Sequence, residues 1–176
     1  AFFTFQINTE GNQSIGSGEL DGNGIPENFF ADEHVRKAFT YAFDFQTYID
    51  DAFLGQGKKV PGPIPSAMKF FNEDQETYDF DLQKAEEHFK QAWGGSVDNP
   101  GEVWETGFEM TILYNSGNTS RRVAAQIWKD KIESINDDFQ ISIESVKWDT
   151  YLGEMVRAKL PLFIIGWAPD FPDPHN

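Results

Sequence analysis

No cysteine occurs anywhere in the 176 residues. That excludes disulfides, thiolate metal sites and cysteine nucleophiles together, and it fits a protein working outside the cytoplasm. Apolar runs are short: none approaches the roughly 18 residues that a bilayer-spanning helix needs, and no signal-peptide pattern is present. Basic charge is scarce as well. Fourteen Lys and Arg stand against 29 Asp and Glu, a net charge of −15. Such a surface repels phosphate backbones, so nucleic acid is not an expected partner. The densest basic stretches, Gly57-Lys58-Lys59 and Arg121-Arg122, are flanked by neutral residues and read as solvated faces.

Aromatic residues are plentiful. Seventeen Phe and five Trp are far more than a disordered segment carries. The length suits one sizeable core, and residues 1–176 are expected to form a single domain. Strand-like sequence begins at once with Phe2-Phe3-Thr4-Phe5, and the chain is expected to be a piece of something longer.

Residues 9–28, TEGNQSIGSGELDGNGIPEN, show no period and read as a long surface loop. Helices are expected after Asp32, Asp44 and Asp81, each an N-cap type followed by apolar residues at helical spacing. Three prolines in GQGKKVPGPIPSAM exclude regular structure between them. The last third reads strand, helix, strand, helix, strand: Phe108 to Tyr114, a helix from Asn118 or Thr119, Phe139 to Ile143, a helix from Asp149 burying Leu152, Met155 and Val156, then Leu162 to Gly166. The alternation predicts an α/β fold with a mixed, largely parallel sheet flanked by helices. Ligands of such sheets sit beyond the carboxyl ends of the strands. That is where the last strand runs into Trp167-Ala168-Pro169-Asp170.

Several familiar motifs fail. The segment SIGSGEL lacks the spacing of a nucleophile elbow, and GQGKK lacks the length and the Ser or Thr of a phosphate loop. His34, His88 and His175 are not spaced as metal ligands. Glu19 to Gly24 matches part of a calcium loop, but Phe30 stands where the bidentate Glu belongs, so a plain turn is preferred. No metal, cofactor or catalytic residue is expected. Asp170 is the candidate binding group. As a loop aspartate it can bond its own backbone. Beside the Trp167 indole, on a path stiffened by Pro169, Pro172 and Pro174, it is also suited to a cationic amine. Trp167 itself reads either as core or as a ligand platform. The loop Tyr114-Asn115-Ser116-Gly117-Asn118 is expected at the same sheet edge, leading into a helix N-terminus.

The segment GWAPDFPDPHN resembles the Gly-Trp-x-x-Asp-aromatic-x-Asp-Pro signature of the family 5 solute-binding proteins of ABC importers, the peptide-binding class. IPENFFADEHVRKAFTYAFD, YDFDLQKAEEHFKQAW and YNSGNTSRRVAAQIWKDKIESIN resemble further segments of that family, in order along nearly the whole chain.

The resemblance implies one lobe, the second, of a type II periplasmic-binding-protein fold, with the first lobe supplied by sequence outside this chain. It implies an extracytoplasmic and lipid-anchored parent that captures oligopeptides and hands them to permease subunits. Asp170 would pair with the peptide ammonium, and Gly166, Trp167 and Ala168 would hydrogen-bond the peptide backbone. Some relatives place an arginine just before the Gly-Trp; here Phe163-Ile164-Ile165 stand there, which removes that anchor for carboxylates. Oligosaccharides remain the alternative ligand. A hydrolase using Asp170 and Asp173 is a rival from another class, although the second acid of such a pair ordinarily comes from another strand. A lone lobe is further expected to expose an apolar cleft wall and to self-associate.

Overall fold

Short polar side chains open four of the helices. The computed structural model describes residues 1–62, 64–166, 170, 171 and 173. Asp32 caps α1 (Glu33–Tyr41), accepting from the His34 and Val35 N–H groups at 2.7 and 3.0 Å. Asp44 caps α2 (Phe45–Phe53) through the Thr47 N–H, and Asp81 caps α3 (Leu82–Gln91) through the Lys84 N–H. The short helix α4 (Glu102–Thr106) has no side-chain cap and no long apolar stripe, so sequence periodicity does not reveal it. Strand β2 (Phe108–Asn115) follows it, after β1 (Phe2–Phe3) at the chain start. Asn118 caps α5 (Thr119–Glu133), accepting from the Arg121 N–H at 2.9 Å. Then come β3 (Phe139–Val146), α6 (Trp148–Val156) and β4 (Leu162–Phe163). Among the described residues no helix is long and apolar enough to cross a membrane.

Strands β2 and β3 are parallel, in register from Phe108 opposite Phe139 to Asn115 opposite Val146, with α5 as the crossover. Strand β4 lies beside β2 but pairs antiparallel with β1, Phe2 opposite Phe163 and Phe3 opposite Leu162. The fold is therefore α/β, as expected; among the described residues its strands form two two-stranded sheets, β2 with β3 parallel and β1 with β4 antiparallel. The last strand differs from the expectation: it is two residues long, not a run to Gly166. At Ile164 a side chain from α6 takes over both backbone groups, which ends the ladder.

The core is aromatic. Phe29, Phe30, Phe39, Phe89, Phe108 and Phe139 are fully or almost fully buried. Phe108 and Phe139 meet at 4.7 Å between ring centroids, and Phe89 lies 4.7 Å from Phe139. Such pairs contribute about 0.5–1.5 kcal/mol each beyond the area they bury. The buried Trp128 indole N–H donates to the Phe39 carbonyl at 2.9 Å, tying α5 to α1.

An ion pair on α5 guards the edge of β3. Lys129 and Glu133 meet at 2.6 Å; Glu133 also accepts from the Ile141 N–H at 2.8 Å, and Lys129 donates to the Ile141 carbonyl at 2.7 Å. Both backbone groups of Ile141 are thereby withdrawn from pairing with another strand.

Residues 9–28 correct the expectation of a surface loop. Ile15 and Ile25 are buried, and the Ile25 N–H donates to the Ile15 carbonyl at 3.0 Å. The loop closes on a backbone bridge between Gly16 and Gly24, where a Cβ on Gly16 would lie 2.1 Å from the Asn23 oxygen. Buried Ser14 then accepts from the Thr111 N–H of β2 at 2.9 Å. Two isoleucines ten residues apart, bonded to each other across a closed loop, leave no local period, so the pattern reads as loop although both are core.

Candidate binding edge

The carboxyl ends of β2 and β3 stop together at Asn115 and Val146, and the Ser116 N–H extends the ladder by donating to the Val146 carbonyl at 2.7 Å. Asn115 accepts from the Arg121 guanidinium at 2.5 Å, while Asn118 accepts from the Ser120 hydroxyl at 2.9 Å. The first turn of α5 is thus tied back to the end of β2. The guanidinium then lies over two rings of α6, 5.2 Å from the Trp148 centroid and 5.4 Å from that of Tyr151.

Tyr151 carries the connection onward. Its hydroxyl donates to the Ile164 carbonyl and accepts from the Ile164 N–H, both at 2.9 Å. Burial pushes its phenol pKa up, against the Ile164 bond and the Arg121 charge. The expected inward face of α6 is corrected accordingly: Tyr151 is buried, whereas Leu152 is 37% and Val156 76% exposed. Apolar residues occur on both sides of this nine-residue helix, and periodicity alone cannot choose between them. Trp148, 47% exposed, stands at the open end of the sheet.

Gly166 is exposed two residues beyond Ile164, and a Cβ built on it meets no atom of the described residues within 4 Å. Asp170 is exposed. Trp167 and Ala168 lie outside the described residues, as do Pro169, Pro172, Pro174 and His175. The loop at Asn115–Asn118 does reach the edge where Ile164 emerges, through Arg121 and Tyr151.

Behind Ile164 lies an apolar cavity of about 540 Å³, walled by Phe3, Phe43, Phe45, Tyr48, Trp128 and Ile164. Burial raises the Tyr48 pKa, opposed by a hydrogen bond with Ser120 and by Arg121. Sequence reasoning read Arg121 only as part of a solvated basic stretch, whereas it is engaged with Asn115, Trp148 and Tyr151, and it did not single out Trp148, Tyr151 or this cavity. The one available signal was Tyr151 three residues after Trp148, a helical pair of amphipathic rings. The calcium-like loop is a turn in which Asp21 accepts from the Asn23 N–H at 2.9 Å and the Ser17 hydroxyl at 2.8 Å; these bonds, with burial opposing them, hold its carboxyl below the usual range. Among the described residues no cluster of three or more His, Asp or Glu is placed to hold a metal ion.

The profile of the bacterial extracellular solute-binding proteins, family 5 (middle region), matches residues 2–176. The chain belongs to that family. The dipeptide-binding protein of Escherichia coli (strain K12) is 29% identical over 148 residues, covering 82% of this chain and 26% of the relative. The oligopeptide-binding protein OppA of Bacillus subtilis (strain 168) is 22% identical over 153 residues, covering 81% of this chain and 26% of the relative. Among solved structures, Listeria monocytogenes OppA bound to peptide superposes with a TM-score of 0.62 at 20% identity, over 96% of this chain and 31% of that one. The fold is thus of the type II periplasmic-binding-protein kind. The family 5 chain spans about a quarter of the length of these curated relatives.

Proposed function

We propose that this family 5 chain is the second lobe of the substrate-binding component of an ABC importer, capturing oligopeptides against a first lobe and delivering them to the permease. The parent acts outside the cytoplasm, on a lipid anchor. The observation that carries the reading is the exposed Gly166 and Asp170 of the family signature, following a strand end that Tyr151 holds rigid. A peptide lying along Gly166, Trp167 and Ala168 would bond through its backbone, and an ammonium at Asp170 would set its direction. Binding by closure needs no chemistry at the site.

Oligosaccharide capture is the second reading, favoured by the exposed Trp148 indole at the same edge, which can stack on a sugar ring. Thermal shift of the parent protein with free peptides, the same peptides N-acetylated, and cello-oligosaccharides separates the two. Stabilisation by free peptides that acetylation removes supports Asp170 as the ammonium anchor; stabilisation by sugars alone moves the ligand class and leaves the edge in place.

A further inference from the structure

The polar side chains that α1, α2 and α5 present to the cavity behind Ile164 already have partners within the protein. The Thr40 hydroxyl donates to the Arg36 carbonyl at 2.7 Å, the Trp128 indole N–H donates to the Phe39 carbonyl at 2.9 Å, and the Tyr48 hydroxyl is hydrogen-bonded with Ser120. What these helices leave for a guest is ring faces and aliphatic surface, from Phe43, Phe45, Tyr48 and Ile49 above all. Phe53 and Val60 also line the space and are 45% and 47% exposed, so the apolar surface continues from the cavity into solvent. The charge at this place is of one sign. Lys59 lies over the Phe45 ring at 4.6 Å, donates to the Tyr78 carbonyl and pairs with Asp79 at 2.8 Å, while Lys58 is exposed. Among the described residues no carboxylate lines the cavity.

A ligand lying along Gly166 can reach this space. Ile164 forms part of the wall, and the two residues of chain from there to Gly166 span at most about 7 Å. The volume of about 540 Å³ falls within the ~300–1,000 Å³ of ligand pockets. Resting on the peptide reading above, we propose that this cavity receives one large apolar side chain of the bound peptide, aromatic by preference, and rejects cationic ones. An aromatic guest gains the burial of its ring and contact with the rings of Phe43, Phe45 and Tyr48, which already pack edge to face at 4.9 and 5.4 Å. A lysine or arginine side chain would enter beside Lys58 and Lys59 with no carboxylate to pair with. A sugar would leave its hydroxyls without partners against a wall whose own polar groups are engaged.

The experiment is calorimetric titration of the parent protein with an alanine tetrapeptide and with versions carrying Phe or Lys at each position in turn. At one position Phe should bind about tenfold to a hundredfold more tightly than Ala, the worth of burying one such side chain, and Lys more weakly than Ala. Phe53→Ala should lower the Phe-to-Ala ratio at that position. Val60→Asp, which sets a carboxylate beside the cavity, should narrow the gap between Phe and Lys. Melting curves without peptide establish that both variants are folded; should one fail to fold, the other decides alone. Binding of the whole series with equal affinities for Phe, Ala and Lys overturns the pocket and leaves the peptide reading intact. Ratios unchanged in the folded variants place the selection elsewhere and overturn the pocket too. No binding of any tetrapeptide removes the peptide reading, and the pocket with it.

Discussion

The Tyr151 hydroxyl occupies the place of a neighbouring strand, donating to the Ile164 carbonyl and accepting from the Ile164 N–H at 2.9 Å each. One phenol thereby ends β4 and fixes the chain two residues before Gly166. Tyr151→Phe strands a donor and an acceptor, which costs about 1–3 kcal/mol. Urea denaturation measures this directly. A variant as stable as the wild type would show that the hydroxyl does not anchor the strand.

The same residue implies an alkaline limit. Burial raises the Tyr151 pKa above that of the unfolded chain, as it does for Tyr48. A raised folded-state pKa gives stability that is complete below about pH 10, the unfolded value, and is lost as pH rises through the folded value. Unfolding free energy should therefore decline above about pH 10. Tyr151→Phe should flatten that decline; an unchanged slope would assign it to other groups.

Asp44 sets the acid side at the start of α2. Burial opposes its ionisation, but the Thr47 N–H, the Thr47 hydroxyl and the Lys131 ammonium at 3.5 Å outweigh it, holding the carboxyl below its usual range. A depressed pKa gives stability that is present above the unfolded value of about 3.9 and is lost as pH falls through the folded one. Asp44→Ala should cost about 0.5–2 kcal/mol at neutral pH. Melting at pH 7 and pH 3 tests both points: the gap between wild type and variant should narrow in acid.

At the guarded edge, Glu133→Gln weakens the carboxylate bond to the Ile141 N–H and the ion pair with Lys129. The expected loss is about 0.5–1.5 kcal/mol, modest because both side chains are partly solvated. The larger consequence is association through the released strand edge. Sedimentation of Glu133→Gln and Lys129→Met should reveal concentration-dependent oligomers beyond those of the wild type.

For the proposed peptide edge, Gly166→Val should leave the melting temperature nearly unchanged, because a Cβ there meets none of the described residues, while reducing peptide affinity in the parent protein. Asp170→Asn should weaken free peptides by about 1.5–3 kcal/mol, since the lost hydrogen bonds are charged. That is about tenfold to a hundredfold in Kd. N-acetylated peptides should not respond to the substitution. Calorimetry that finds equal losses for both peptide forms would remove the ammonium from the account.

Residue order alone determined the class and most of the elements. Asp32, Asp44, Asp81 and Asn118 announce their helices because a capping side chain acts within three residues of itself. The parallel pair β2 and β3 was legible because Met110, Ile112, Ile141 and Ile143 alternate along strands. The Gly166 to Asp170 segment was legible as a motif, and of it the described residues contain Gly166 and Asp170, both exposed.

Tertiary structure decided everything that needs distant residues to meet. Ile15 became core only because Gly16 and Gly24 close a loop whose register no local period records. The inward face of α6 was settled by the backbone of Ile164, thirteen residues on, which offered Tyr151 two hydrogen bonds that Leu152 and Val156 could not make. His34 and His88 meet because α1 and α3 pack together, and a helix-to-helix distance is a property of the core between them. Local interactions choose the conformation of a segment; burial and hydrogen-bond satisfaction across the whole chain choose which of its faces turns inward.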